Sequence, residues 1–173
     1  MSVPQHLADS LHLPEQFFCS WDPLHKGGLV DKHIREDASF KWLVDLQTIC
    51  REIYTTFNWG KNYENFLQVC ADLDIEKKQL TNFSMTRFAN SVRFVFINLR
   101  ADYSAVRQSL QNLITDKESS SDAKDRSKAV ECKSVFRKID SRVFTLSLSG
   151  CSDIYDLFGI LSNECQKVNL LPH

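Results

Sequence analysis

No stretch of this sequence stays apolar long enough to span a bilayer, so a membrane-spanning role is not expected. Its opening, MSVPQHLADSLHLPEQ, lacks the basic-then-apolar order of a secretory signal. The six cysteines (Cys19, Cys50, Cys70, Cys132, Cys151 and Cys165) form no C-x-x-C pair and are too sparse for a disulfide scaffold. Free buried thiols in an intracellular setting, nuclear or cytoplasmic, are the expectation. There is no excess of one charge either: 21 Lys and Arg against 22 Asp and Glu leave a formal net charge of −1. The chain as a whole is therefore not drawn to nucleic acid or anionic lipid, and any such affinity must come from a local patch. Also missing are a nucleophile-elbow G-x-S-x-G, a phosphate loop, a dinucleotide fingerprint and any internal repeat.

What the sequence does contain is helical periodicity. In SFKWLVDLQTICREIYTTFNWG the apolar Phe40, Leu43, Val44, Cys50, Ile53, Tyr54 and Phe57 recur at helical spacing. Ser39 is the expected N-cap and Gly60 the expected stop. A second amphipathic stretch, KNYENFLQVCADL, follows closely enough for an antiparallel hairpin. Residues 85–114 contain neither Gly nor Pro, and their stripe from Phe88 to Leu113 predicts one long helix, the longest in the chain. Residues 142–148 alternate like a strand, yet Phe144, Leu148, Cys151, Tyr155 and Phe158 step by three and four; the helical series is the longer. The expected class is all-α, mainly α-helical with an irregular N-terminal segment. Its expected division is an irregular segment at 1–38, a helical core at 39–116, a polar linker at 117–128 and a C-terminal helical segment at 129–173.

Two stretches invite a chemical reading. CSWDPLHKGGLVDKH sets Cys19, Asp22 and His25 three residues apart, with His33 available as a fourth ligand. Zinc sites use short Cys/His pairs, and this spacing matches no finger pattern, so an Asp-Pro turn with a Gly-Gly joint is expected, without metal or cofactor. In the long helix Arg93, Arg100 and Arg107 are heptad-spaced and form one ridge beside the apolar stripe, with Arg87 at the helix start. Spaced guanidiniums suit phosphate or carboxylate recognition. The plainer alternative is that the ridge meets solvent or pairs with acids elsewhere, such as Asp45 and Glu52.

Taken in order, WDPLHKGGLVDKH, SFKWLVDLQTICREIYTTFNWG and TRFANSVRFVFINL resemble the middle portion of hAT-superfamily transposases and their domesticated relatives. In that superfamily a C-x-x-H element precedes an apolar helix, and a Thr-Arg-Trp motif follows later. Here Asp22-Pro23-Leu24-His25 and Thr86-Arg87-Phe88 occupy those places, with Asp22 in place of the usual Cys and Phe88 in place of Trp. DIYDLFGILSNECQKVNLLPH resembles a later helical segment of the same proteins. The family's chemistry uses three carboxylates on a ribonuclease-H-like sheet with divalent metal. The resemblance covers the helical insertion and not that trio, so it implies a non-catalytic relative, with Asp22 and His25 marking a structural joint.

Two functions are then in play. One is a nucleic-acid-associated, transposase-derived helical fragment. Its DNA contacts would be Arg87 and Phe88 at the helix start, with Arg93, Arg100 and Arg107 along the helix. The other is a helical protein–protein interaction module, homo-oligomeric or binding another helical protein, with Trp42 and Trp59 among its anchors. Neither requires this chain to be an enzyme.

Overall fold

A computed structural model describes residues 33–34, 36–83 and 88–168, with side chains at 33–34, 36–83 and 92–160. Asp22, His25 and Arg87 lie outside the described residues, and so does the side chain of Phe88. The chain is mainly α-helical, and among the described residues there is no strand.

A short 3-10 turn, Ala38–Phe40, leads into α1, Lys41–Phe57. Ser39 is not the cap here. Asp37 takes that part by accepting the Ser39 backbone N–H at 2.8 Å, and that bond holds its carboxyl below the usual range. α1 buries Leu43, Leu46, Cys50, Ile53 and Phe57, the three-and-four spacing of one helix face, whereas Phe40 and Val44 are exposed. It is the central helix, touching α2, α3, α5 and α6. α2, Gly60–Asp72, follows after only Asn58 and Trp59. Gly60 does not stop α1; it opens α2 at φ +68°, a conformation that suits glycine.

α3, Phe88–Ala101, and α4, Tyr103–Ser119, replace the single long helix expected at 85–114. The break falls at Asp102, whose side chain is completely buried and accepts the Lys78 backbone N–H at 2.9 Å. Nearby, Asn98 donates to the Gln79 carbonyl at 2.7 Å. These two bonds tie the extended segment 75–83 across the helix junction, and Phe83 packs edge-on against Phe96. The break therefore serves packing; an acid within a continuing apolar stripe gives no sequence signal for it.

α5, Ala123–Ile139, is capped by Asp122, which accepts the Lys124 N–H at 2.9 Å. The polar linker expected at 117–128 shrinks to residues 120–122, because α4 and α5 extend into it from both sides. Lys117 and Ser120 both bind the Asp125 carboxylate, at 2.6 and 3.0 Å, and close this turn. α6, Arg142–Val168, has 27 residues and is the longest helix among the described residues, displacing the 85–114 element from that place. Residues 142–148 are helical, which resolves their ambiguity.

α4 packs against α5, and α3 against α6. One cluster of buried side chains, from Leu43 to Cys151, includes residues of all six α-helices among the described residues. Val135 and Ile139 of α5 and Phe144, Leu148 and Cys151 of α6 share this core with the earlier helices. Phe57, Phe66, Phe96, Leu110 and Ile139 anchor it, each fully buried side chain contributing about 1.5–3 kcal/mol.

Candidate functional site

The arginine ridge is where sequence and structure meet most directly. Arg93 bonds Asp156 through Nε at 2.8 Å and Nη2 at 2.6 Å. Arg100 bonds Asp153 at 2.6 Å, and Arg107 bonds Asp140 at 2.7 Å. Between these pairs Phe96 meets Tyr155, ring centroids 5.4 Å apart, and Tyr103 stacks on Phe144 at 6.2 Å while donating to the Ile139 carbonyl at 2.9 Å. Residue numbers rise along α3–α4 as they fall along α6 and back to Asp140, just past the end of α5. The ridge is an antiparallel seam inside the molecule. Its partners are not Asp45 and Glu52, which pair instead with Lys41 and Lys138. Guanidiniums already held by carboxylates offer little to a phosphate, so Arg93, Arg100 and Arg107 work first as structural residues.

The thiols are structural too. Cys50, Cys70 and Cys151 are buried free cysteines, and Cys132 is half-buried. Loss of water raises all four thiols above the ordinary range, Cys151 to about 11, which leaves them poor nucleophiles at neutral pH. Among the described residues no three His, Cys, Asp or Glu side chains come together as a metal site. No described helix is long and apolar enough to cross a membrane.

Two surfaces remain. The first is an open cleft of about 820 Å³ between α1, the start of α2, α4 and α5. Arg51, Lys61, Lys117, Lys128 and Lys138 line it with Glu52 and Glu131, and Trp59, three-quarters exposed, stands at its edge. Lys138 is held by Glu52 and Lys117 by Asp125, whereas Lys61 and Lys128 form no ion pair among the described residues, although the charge of Lys128 acts on Asp125. The cleft therefore carries unneutralised positive charge beside an indole face.

The second is the outward side of α6. Its inward side supplies Phe144, Leu148 and Cys151 to the core, yet Val143, Leu146, Ile154 and Leu157 are 53–75% exposed on the opposite side. A helix apolar on two faces has something to cover on both. Sequence reasoning named Trp42 and Trp59 as anchors, and both are exposed, but it missed this face. The signal was present: the alternation at 142–148 arises because Leu146 points outward between the inward Phe144 and Leu148.

No family model, no curated protein and no solved structure matches this chain.

Proposed function

We propose that this chain is a helical protein–protein interaction module, and that the outward face of α6 is its docking surface. The observation that carries this reading is the uncovered apolar row Val143, Leu146, Ile154 and Leu157 on a helix whose other face is already buried. Contiguous exposed apolar area of this kind marks association sites on soluble proteins. The test compares the parent with Leu157→Asp. A hydrophobic dye should bind the native parent, and the variant should lose that binding while melting within about 0.5 kcal/mol of the parent, as a free surface position does. A drop of several kcal/mol would mean that the face is covered within the chain, and the reading would fail.

A second reading, association with nucleic acid as the hAT resemblance implies, is supported by the cleft. Lys61 and Lys128, neither in an ion pair among the described residues, line the same cleft as the exposed Trp59 and combine phosphate attraction with a stacking surface. Phosphate contacts weaken steeply with salt, so titrating DNA into the parent at low and moderate salt separates this reading from the first.

A further inference from the structure

We infer that the cleft between α1, the start of α2, α4 and α5 binds one unpaired nucleotide, its base stacked on Trp59 and its phosphate held by Lys61 and Lys128. The cleft is the one named in the nucleic-acid reading, but the inference does not depend on that reading. The nucleotide can be free or part of a single strand.

Size and charge come first. At about 820 Å³ the cleft falls within the roughly 300–1,000 Å³ of small-ligand sites. Among the described residues five cations and two carboxylates line it, in a chain whose formal net charge is −1. Two of those cations are engaged, Lys138 with Glu52 and Lys117 with Asp125. Arg51, Lys61 and Lys128 form no ion pair among the described residues, and neither does Glu131. The surplus is about two positive charges, which matches one phosphate group.

The aromatic edge says what else the ligand carries. Tryptophan is on average well buried, yet Trp59 is 75% exposed. Gly60, at φ +68°, turns the chain between Trp59 and Lys61, and Asn62 anchors that turn by donating to the Thr56 carbonyl at 3.2 Å. One anchored turn thus supplies a π face for a base and an ammonium for its phosphate, while Lys128 lines the cleft from α5. The hydroxyls narrow the choice further. Thr48, Thr55 and Thr56 donate to the carbonyls of Val44, Arg51 and Glu52, which leaves them only lone pairs to offer the cleft. Those lone pairs accept from a sugar hydroxyl or a base amino group and give nothing to a bare phosphate. In a duplex the base faces are already stacked, and freeing one costs a few kcal/mol.

Calorimetric titration of the full chain at low salt tests this with four probes: ATP, a short single-stranded DNA, the matching duplex and inorganic tripolyphosphate. ATP, the single strand or both should bind, at least about fivefold more tightly than tripolyphosphate, which has no ring to stack. A single strand that binds more tightly than ATP identifies a strand as the source; otherwise the source is the free nucleotide. Trp59→Ala should erase the margin over tripolyphosphate and Trp59→Phe should keep most of it. Lys61→Ala and Lys128→Ala should each weaken binding severalfold. All three positions are exposed, so melting should not change. Tripolyphosphate bound as tightly as ATP and the single strand, or an affinity indifferent to Trp59→Ala, would reduce the cleft to a plain anion site and overturn the inference. So would a parent that binds neither ATP nor the single strand. A duplex bound as tightly as the single strand, whatever stands at position 59, would keep the nucleic-acid reading and reject this one. ATP bound without any DNA would do the reverse.

Discussion

Arg93 occupies the space that a side chain at position 159 would need: a Cβ on Gly159 would stand 2.4 Å from its Cδ and 2.9 Å from its Nε. The guanidinium crosses the bare backbone of α6 to reach Asp156, one helical turn earlier, and lies 5.5 Å from the Phe94 ring centre. Gly159 is thus part of the seam, although it forms no hydrogen bond with Arg93.

Gly159→Ala should therefore act with opposite signs in two backgrounds. In the parent the new methyl displaces Arg93 and should lower stability despite the better helix propensity. In an Arg93→Ala background the same change should stabilise by up to about 1 kcal/mol. A four-member mutant cycle by thermal or urea melting checks it, and additive effects would show that the two residues do not share space.

Asp102 makes a pH prediction. Burial raises its carboxyl above the ordinary range, opposed by the hydrogen bond from Lys78 and the charges of Lys77 and Lys78, and its Oδ2 has no hydrogen-bond partner. A raised folded-state value means that this group's favourable contribution is complete below its unfolded value, near 3.8, and is lost as pH climbs through the folded value. Asp102→Asn keeps an acceptor for Lys78 without the charge. Its stability relative to the parent should grow as pH rises from acid to neutral, by on the order of 1 kcal/mol. Melting both proteins between pH 3 and pH 8 measures the difference, and a constant difference would mean that Asp102 does not titrate in that range.

Leu99 and Leu146 separate core from surface on helices that pack together. Leu99 is 2% exposed and Leu146 is 62% exposed. Leu99→Asp should cost several kcal/mol, because a buried carboxylate there has no counter-charge, whereas Leu146→Asp should stay within about 0.5 kcal/mol of the parent. Equal melting temperatures for the two variants would contradict the assignment of faces.

For the cleft, Lys61→Ala combined with Lys128→Ala should reduce any DNA affinity and flatten its salt slope by about two units, one per lost phosphate contact. Arg100→Gln should leave that affinity unchanged and cost at most about 1 kcal/mol of stability, the worth of an exposed ion pair. A parent that binds no DNA at low salt would end the nucleic-acid reading.

The helices were largely legible in the sequence because their apolar spacing is local information. Leu43, Cys50, Ile53 and Phe57 on α1, and Val92, Val95, Phe96 and Leu99 on α3, are buried as their periodicity requires. The break at Asp102 was not legible, since the Lys78 N–H that its carboxylate accepts comes from outside the helix. The arginine ridge was visible but its destination was not. Asp140, Asp153 and Asp156 carry no heptad spacing of their own; the packing of α6 on α3 places Asp153 and Asp156, and the packing of α5 on α4 places Asp140. The outer face of α6 escaped notice for a different reason: a helix apolar on both sides blurs the periodicity by which either side is recognised.

The turn between α4 and α5 has a kinetic consequence. Only residues 120–122 separate these helices, so the α4–α5 pair closes a very short loop with little loss of chain entropy. The Arg100–Asp153 and Arg93–Asp156 contacts span 53 and 63 residues and must wait for distant parts of the chain to meet. Folding should then start from the α4–α5 hairpin, with the α3–α6 seam closing after the main barrier. Weakening the seam would leave the folding rate nearly unchanged and speed unfolding, so those arginines set how long the native state lasts more than how fast it forms.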